Sequence, residues 1–377
     1  MNLLVEPFLC LWALPLGLLA IPLIFIAPEA ATILLEAGSI GILAANRITL
    51  AGSMVPFASL WTITPSISEI VVFYILLYLW IMHAGTLRRK MLLGSCSIIL
   101  ILFFTGGLWF SLPSTRAELA FLDVGQGSST MIRLPGGRTM LIDGGSRTSP
   151  SFHVGERVIG PFLRKKRIWR LDDVIITHPD SDHVNGIDFI LERFRPQRLW
   201  INGDGKKNWP YREILRGASA LGIRIIEPET GRTIDSGPGS RITFIQGADQ
   251  RQPGLSVNDR SLVIRLDHRR NSFLFPGDIS KTKEKELVGN NAELKADLLL
   301  APHHGSRGSG SREFIDTVDP DIILISAGQN SRRMYVAPKH LSRWRDEGRM
   351  VLTTPDHGTI TCLSDGADIR IQPMPAD

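Results

Sequence analysis

The sequence predicts an α+β protein in which transmembrane α-helices precede a four-layer αββα sandwich. Residues 1–112 contain long apolar runs and few charged side chains, whereas the rest has the composition of an ordinary soluble domain. Short segments rich in Val and Ile, typical of buried strands, lie near both ends of this second part, with helical patterns between them. We therefore expect a membrane domain at residues 1–112 and a soluble domain at residues 113–377.

Three apolar segments, at residues 8–27, 65–82 and 91–110, are long enough to cross ~30 Å of hydrocarbon as helices, or nearly so. The shorter or interrupted apolar stretches at 30–45 and 48–61 are expected to be interfacial or re-entrant. A signal peptide at residues 1–27 is the less favoured alternative, because no Lys or Arg precedes the apolar run. The positive-inside rule assigns the cluster Arg88, Arg89 and Lys90 to the cytoplasm, which places the soluble domain outside.

The net charge of +5 resides in the soluble part, because the membrane part has equal numbers of acidic and basic side chains. A surplus of this size suits a polyanionic substrate without requiring one. The three cysteines are dispersed along the chain. The sequence therefore predicts neither a disulfide within the soluble part nor a thiolate metal site.

The strongest motif, His178-Pro-Asp180-Ser-Asp182-His183, follows an apolar strand and precedes an amphipathic helix. Alternate residues of an extended loop point to one side, so His178, Asp180 and Asp182 project together, and His183 joins them at the turn. Imidazole and carboxylate ligands suit zinc, manganese or iron. The alternative is that Asp182 caps the following helix and the histidines are surface residues.

Two distant segments deliver the same kinds of side chain at the ends of apolar strands. Asp278 follows Leu-Phe-Pro-Gly, and His303 and His304 follow Leu-Leu-Leu-Ala-Pro. Taken singly, Gly-Asp is an ordinary turn, and paired histidines are often solvated or cap a helix. Three separate strand ends that all carry ligand-type residues favour one shared metal site.

Weaker candidates surround this set. Asp123 and Asp143 follow apolar strands beside glycines, which is equally consistent with support of the metal ligands and with ordinary turns. Asn258 and His357 are candidates to reach the site from later strands, although their spacing does not establish it. Six basic side chains are candidates for contacts with a phosphate backbone, and a solvated charge is an equally good interpretation of each. They are Arg164, Lys165, Lys166, Arg167, Arg307 and Lys339.

The soluble part resembles the metallo-β-lactamase domain of the ComEC family of bacterial DNA-uptake channel proteins. The resembling segments occur in the family's order at 121–127 (FLDVGQG), 141–145 (LIDGG), 177–183 (THPDSDH), 258–263 (NDRSLV), 277–278 (GD) and 303–306 (HHGS). The apolar segments resemble the end of the family's channel domain. The resemblance implies a multi-pass protein of the bacterial inner membrane that moves one DNA strand inward, with an external domain that degrades the other strand.

Three departures from the family pattern matter. Ser128 stands where the family has Asp, and Ala337 stands where a His precedes Pro338, but every expected ligand is in place. The family's amino-terminal domain and most of its channel helices are missing, and three spans cannot enclose a pore alone. The resemblance therefore implies a fragment, one half of a split protein, or a subunit that needs a channel partner or other competence proteins.

The leading hypothesis is phosphodiester hydrolysis with two divalent ions, Zn²⁺ or Mn²⁺, which activate a water for attack on phosphorus. Asp182 and His304 are the expected catalytic residues, with His304 acting as a further ligand or as proton donor to the departing oxygen. The alternatives are a transport component that binds DNA without cutting it, and a membrane-tethered hydrolase for a smaller phosphodiester or other ester. The expected metal ligands are His178, Asp180, Asp182, His183, Asp278 and His303.

Overall fold

The computed structural model divides the chain into two compact units, residues 1–62 and 63–377. The structure describes residues 2–55, 64–82, 115–146, 152–205, 209–248, 254–290, 292–328 and 336–373, with scattered helical positions between 87 and 98. The unit division differs from the boundary expected at residue 112, because the apolar helix Ile67–Met82 groups with the second unit. Most of the expected span at 91–110 lies outside the described residues.

The first unit is a pair of apolar helices joined at Ala27. Helix α1 (Leu3–Ile26), which has a π-helical turn at Pro7–Ala13, and helix α2 (Pro28–Ser53) are both long and apolar enough to cross a membrane. Helix α2 runs continuously through the stretch 30–45 and into the stretch 48–61, both of which we expected to be interfacial or re-entrant, and residues 56–61 lie outside the described residues. The next helix, α3 (Ile67–Met82), is apolar but shorter.

Close packing against α1 explains the glycines within helix α2. Gly38 and Gly41 are buried against α1, and a Cβ at Gly41 would lie 2.8 Å from the carbonyl oxygen of Phe8. Trp12 Nε1 donates a hydrogen bond to the carbonyl oxygen of Ala37 at 3.0 Å. Glycine lets two helix backbones approach closely, which is the common packing device of helices in lipid.

The second unit is built on two sheets in the described part of the chain. Sheet 1 has the order β15-β14-β1-β2-β3-β4-β5-β6, and sheet 2 has the order β13-β12-β11-β10-β9-β8-β7. The strands are β1 Ala117–Phe121, β2 Thr130–Arg133, β3 Thr139–Ile142, β4 Asp173–Ile176, β5 Arg198–Ile201, β6 Arg224–Ile226, β7 Thr233–Asp235, β8 Ser240–Gln246, β9 Val263–His268, β10 Asn271–Phe275, β11 Leu298–Leu300, β12 Ile322–Ile325, β13 Met350–Thr353, β14 Ile360–Ser364 and β15 Ile369–Pro373.

Helices cover the outer face of each sheet. In chain order they are α4 Gly160–Lys165, which continues a π-helical turn at Gly155–Ile159, α5 Ser181–Val184, α6 Ile187–Phe194, α7 Trp209–Ala220, α8 Lys281–Gly289, α9 Arg312–Val318, α10 Pro338–Asp346 and α11 Thr354–His357. Helices α4 to α7 belong to the part of the chain that forms most of sheet 1. The other four belong to the half that forms most of sheet 2.

Alternation along the central strands produces the layers. In β4, Val174 and Ile176 join the core beneath the helices of sheet 1, whereas Ile175 joins the core between the sheets. In β11, Leu299 packs under the helices of sheet 2, and its two neighbours face the other sheet. Strands that are apolar on both faces are buried on both faces. The resulting helix–sheet–sheet–helix order confirms the predicted αββα fold.

Strand direction defines two opposite rims of the sandwich. Strands β1, β3, β4, β5 and β6 run in one direction in sheet 1, and β10, β11, β12 and β13 share a direction in sheet 2. We call the edge at which these strands end the carboxyl rim, and the edge at which they begin the amino rim. The motif residues that follow the strands must therefore lie at the carboxyl rim.

Candidate metal centre

Asp278 lies at the centre of a cluster of imidazoles on the carboxyl rim. Its Oδ1 is 3.3 Å from His183 Nε2. Its Oδ2 is 3.5 Å from His304 Nε2, 3.8 Å from His303 Nε2 and 3.9 Å from His178 Nε2. Three segments from different strand ends therefore meet around one carboxylate, as the sequence predicted.

Two aspartates complete the cluster. Asp182 Oδ2 is 3.5 Å from His304 Nε2, and Asp180 Oδ2 is 3.7 Å from His178 Nε2. Ligand-type atoms of Asp182, His183, Asp278 and His304 all lie within 4.8 Å of one another. Asp180 is more exposed, with 44% of its side-chain surface accessible, so this end of the cluster opens to solvent.

The three buried imidazoles present bare nitrogens to the cluster. His183 Nδ1 donates to Asp143 Oδ2 at 2.7 Å, and His304 Nδ1 donates to the carbonyl oxygen of Ser326 at 2.9 Å. Thr177 Oγ1 gives its hydrogen to the Asp143 carboxylate at 2.9 Å, so it accepts from His178 Nδ1 at 3.1 Å. These bonds place the proton of each neutral ring on Nδ1 and turn the Nε2 lone pair toward Asp278.

The burial of the same Nε2 atoms indicates a cation site. In the described part of the chain, Nε2 of His178, His183 and His304 is buried without a hydrogen-bond partner. Buried polar atoms in native proteins are nearly always satisfied, so three convergent exceptions need an explanation. Divalent ions held by imidazole and carboxylate supply one, and the donor set fits them.

Backbone strain and close packing support the cluster. Asp143, His303 and His304 adopt left-handed φ values of 60°, 48° and 54°. Such values are uncommon in residues with a Cβ and persist where the surroundings enforce them. Gly127 has φ +113° and lies so close to Asp182 that a Cβ there would overlap the carbonyl oxygen of that residue.

The family follows from a comparison over this region. A model described as the metallo-beta-lactamase superfamily matches residues 122–328, the stretch that carries the motif loop, Asp278 and both histidines of the pair. The chain belongs to this superfamily. Its fold and its His/Asp cluster support a metal-dependent hydrolase.

Relatives of this metallo-beta-lactamase chain include competence proteins. It is 30% identical to ComE operon protein 3 of Bacillus subtilis (strain 168) over 76% of this chain and 38% of that protein. It is 29% identical to Recombination protein 2 of Haemophilus influenzae over 62% and 27% of the two chains. It is 25% identical to Competence protein ComA of Neisseria gonorrhoeae over 83% and 45%. These similarities confirm the resemblance, and the chain spans less than half the length of each relative.

In the metallo-beta-lactamase cluster, imidazoles and carboxylates shift one another's pKa values. Burial lowers the pKa of His304, but the Asp278 carboxylate outweighs it and raises the value to about 9. Burial and the neighbouring His183 lower the pKa of His178 to about 3. Burial opposes ionisation of Asp278, but the nearby His304 and His183 hold the pKa of its carboxyl well below the usual range. The metal-free site therefore holds protons that an ion must displace.

Several supporting residues were not singled out in the sequence. Ser326 follows β12, accepts from His304 through its carbonyl oxygen, and donates through Oγ to the carbonyl oxygen of Gly127 at 2.8 Å. The main-chain nitrogen of Ser128 donates to the carbonyl oxygen of Asp182 at 3.2 Å. Because this bond uses the backbone of residue 128, it does not depend on whether that residue is Ser, as here, or Asp, as in the family pattern. Position at a strand end is the signal that would have identified these residues.

The weaker candidates fall into different places. Asp143 contacts His183 directly, whereas Asn258 is one step removed: its carbonyl oxygen accepts from Ser261 Oγ, which accepts from the main-chain nitrogen of Asp278. Asp123 accepts from Gly125 in its own loop, and burial raises the pKa of its carboxyl. His357 Nδ1 bonds to the carbonyl oxygen of Thr353, 3.0 Å away in its own loop.

The basic candidates divide between the two rims. Arg307 and Lys339 are exposed near the His303 loop, since Ala337 beside Lys339 donates to the carbonyl oxygen of Gly305 at 2.9 Å. The basic segment, residues 164–167, lies instead at the amino rim, where the chain returns to begin β4. Lys166 pairs with Glu118, and Arg167 pairs with Glu69 at 2.6 Å. The structure thus does not bring this segment to the cluster as a DNA track.

Proposed function

We propose that this chain is a metal-dependent phosphodiesterase that degrades one strand of incoming DNA at a bacterial cell membrane. The convergence of three buried, unpartnered imidazole nitrogens on Asp278 carries the hydrolytic part. The DNA part rests on the similarity to competence and recombination proteins. The two apolar helices of the first unit support the membrane location, and the hydrolase domain at 113–377 would face outward.

The cluster has enough ligands for two divalent ions, Zn²⁺ or Mn²⁺. Asp182, His183 and His304 form one group of ligands. His178, Asp180 and His303 form the other, and the Asp278 carboxylate lies near both. The grouping follows the short separations of Asp182 from His304 and of Asp180 from His178. Ions bound here would polarise a phosphoryl oxygen and activate a water.

Some residues of the cluster are buried and suited to binding a metal, whereas others are exposed on the side where a substrate would enter. His304 is buried between Asp182 and Asp278, which favours the role of ligand over that of proton donor to a leaving group. Asp180 and His303, with side-chain exposures of 44% and 35%, border the open side where a phosphodiester would enter. Arg307 and Lys339 on the same rim would attract its backbone.

Incubation of the full chain in detergent with single- and double-stranded DNA and Mn²⁺ or Zn²⁺ tests the proposal. Asp182→Ala should abolish cleavage. Asp188→Ala, which changes an exposed carboxylate that pairs with His153, should not. Binding of DNA without cleavage would support the transport component. Hydrolysis of a small phosphodiester such as bis(p-nitrophenyl) phosphate, with no action on DNA, would support the small-substrate hydrolase.

A further inference from the structure

The amino rim of sheet 1 is where the hydrolase domain connects to the apolar part of the chain. Strand β1 starts there at Ala117, a few residues after the expected span at 91–110. Helix α3 reaches the same rim, since Arg167 holds Glu69. If these apolar segments lie in a bilayer, this rim is the side of the sandwich next to it.

Buried carboxylates of this rim are neutralised inside the fold. Asp173 is fully buried between Arg138, at 2.8 Å, and Arg198, at 2.7 Å. Glu118 pairs with Lys166 and lies 3.8 Å from Arg133. These basic side chains therefore contribute little free charge to the surface.

A second set of basic side chains at the same rim is exposed. Lys165, at the end of α4, and Arg170 both precede β4. Arg195 precedes β5, and Arg224 is the first residue of β6. Arg170 Nε donates to the carbonyl oxygen of Arg195, which keeps two of these cations adjacent. Glu192, in the last turn of α6, is an exposed carboxylate near these cations, whereas the exposed Asp235 and Asp368 lie farther along the amino rim, at the end of β7 and in the β14–β15 turn. Around the starts of β4, β5 and β6 the cations therefore remain in excess.

Trp169 stands out within this basic set. Its side chain is 57% exposed, between the paired Arg167 and the exposed Arg170. Among the described residues beyond position 115, it is one of two large apolar side chains with such exposure, the other being Met350. Tryptophan beside Lys and Arg is the combination enriched at the headgroup level of membranes.

The corresponding edge of sheet 2 carries charges of both signs, with Arg241, Arg269 and Arg270 exposed at the start of β8 and in the β9–β10 turn. Asp319, Asp321 and Glu347 are exposed near the start of β12 and β13, close to Met350. The combination of clustered cations with an exposed tryptophan, Trp169, therefore lies at the sheet 1 edge. It is also remote from the metal cluster, because the length of β4 and its flanking residues separates the two rims by roughly 20 Å.

We propose that Lys165, Trp169, Arg170, Arg195 and Arg224 form a membrane-contact surface that binds anionic phospholipid headgroups. The contact would hold the sandwich upright on the bilayer, with the carboxyl rim and its metal cluster facing away from the lipid. The charge excess supplies attraction to anionic lipid, and continuity with the apolar segments supplies proximity. This proposal is independent of whether the domain cuts DNA.

Lipid quenching in the full chain tests the surface. After replacement of the three native cysteines, Trp169→Cys or Arg307→Cys is labelled with an environment-sensitive fluorophore, and the protein is reconstituted in vesicles containing headgroup spin-labelled lipid. We expect quenching at position 169 to exceed that at position 307 at least threefold. We also expect it to fall by at least half when phosphatidylglycerol is replaced by phosphatidylcholine.

Charge variants provide the matched comparison. Lys165→Glu with Arg170→Glu should lower quenching at position 169, whereas Lys339→Glu, on the carboxyl rim, should not. Equal quenching at the two positions, stronger quenching at position 307, or no dependence on phosphatidylglycerol would overturn the proposal. So would a DNA duplex that shields position 169, but not position 307, from a soluble quencher, since it would assign the surface to nucleic acid. Unchanged melting temperatures show that the variants fold.

Discussion

At the scale of single residues, Asp278 is the central residue of the proposed metal site. It is 3% exposed, and its two oxygens face four imidazoles that come from two segments of the chain. A carboxylate in that position can bind both proposed ions and also neutralises the protonated rings when no ion is present.

Asp278→Asn removes this charge with almost no change in shape. We expect metal-dependent activity to fall at least about 100-fold, because an amide is a poor ligand and the proposed ions would lose the anion between them. Metal content by mass spectrometry and activity in the full chain provide the measurement. Asp188→Asn, an exposed carboxylate paired with His153, serves as control. Full activity with a full complement of metal in Asp278→Asn would contradict the central role of this residue.

Asp143 acts one step further out. It accepts from His183 Nδ1 and from the main-chain nitrogen of Thr177 at 2.8 Å. Asn tolerates the left-handed backbone that Asp143 adopts, so Asp143→Asn should fold, but it loses the charge that makes His183 a stronger ligand. We expect metal affinity to drop about 10- to 100-fold in a chelator competition. An affinity within twofold of the unaltered chain would show that Asp143 is only a turn residue.

The raised pKa of His304 predicts a pH dependence of the metal-free protein. Its folded value of about 9 lies above the ordinary value of 6.5, so its stabilising contribution is fully present below about pH 6.5 and is lost as pH rises through 9. Melting in the presence of a chelator should therefore occur at lower temperature at pH 9.5 than at pH 6.5. His304→Gln should flatten this difference. A melting temperature that rises over this interval would contradict the assignment.

The sequence revealed the cluster better than it revealed the support. Ligand-type residues at three strand ends are visible as motifs, and the structure places the four histidines among them within 4 Å of Asp278. Ser326 and Thr177 act through a carbonyl oxygen and a hydroxyl that any strand end might offer. The location of the basic segment, residues 164–167, could not be predicted, because charge alone does not tell which rim a loop occupies.

At the scale of elements, the glycine-rich loop after β1 sets the approach of the motif loop. Gly127→Ala would force Asp182 to move, and we expect it to cost about 3 kcal/mol of stability and to weaken metal binding. Gly137 is the matched control, because it also has a positive φ, +89°, but has open space around it. Gly137→Ala should cost only about 1 kcal/mol. Equal losses in denaturant unfolding would show that crowding at Asp182 is unimportant.

The elements themselves were predictable where hydrophobic periodicity is strong. Strand β4 and helix α6 occur where the apolar strand and the amphipathic helix were predicted on either side of the motif at 178–183. The continuity of helix α2 was not predicted, because Gly38 and Gly41 weaken a helix in isolation. Their value appears only when the partner helix lies against them, which is a tertiary fact.

At the scale of the whole molecule, sheet 1 joins the two ends of the hydrolase domain. Removal of residues 360–377 deletes β14 and β15 and leaves β1 with one neighbour instead of two. We expect this truncated chain to be protease-sensitive and unable to bind metal, because the Gly127 loop that follows β1 would be unanchored. Removal of residues 374–377 alone should be harmless. Limited proteolysis with metal analysis distinguishes the two, and a resistant, metal-binding chain without 360–377 would contradict the expectation.

The pairing of β1 with β14 also has a consequence for biosynthesis. Phe121 is bonded opposite Ile360, so most of the domain must leave the ribosome before its first strand is enclosed. Contacts so distant along the chain form slowly. Until they form, the nascent chain exposes the edge of β1 that later pairs with β14. A chaperone or rapid export would be needed to prevent aggregation at this edge.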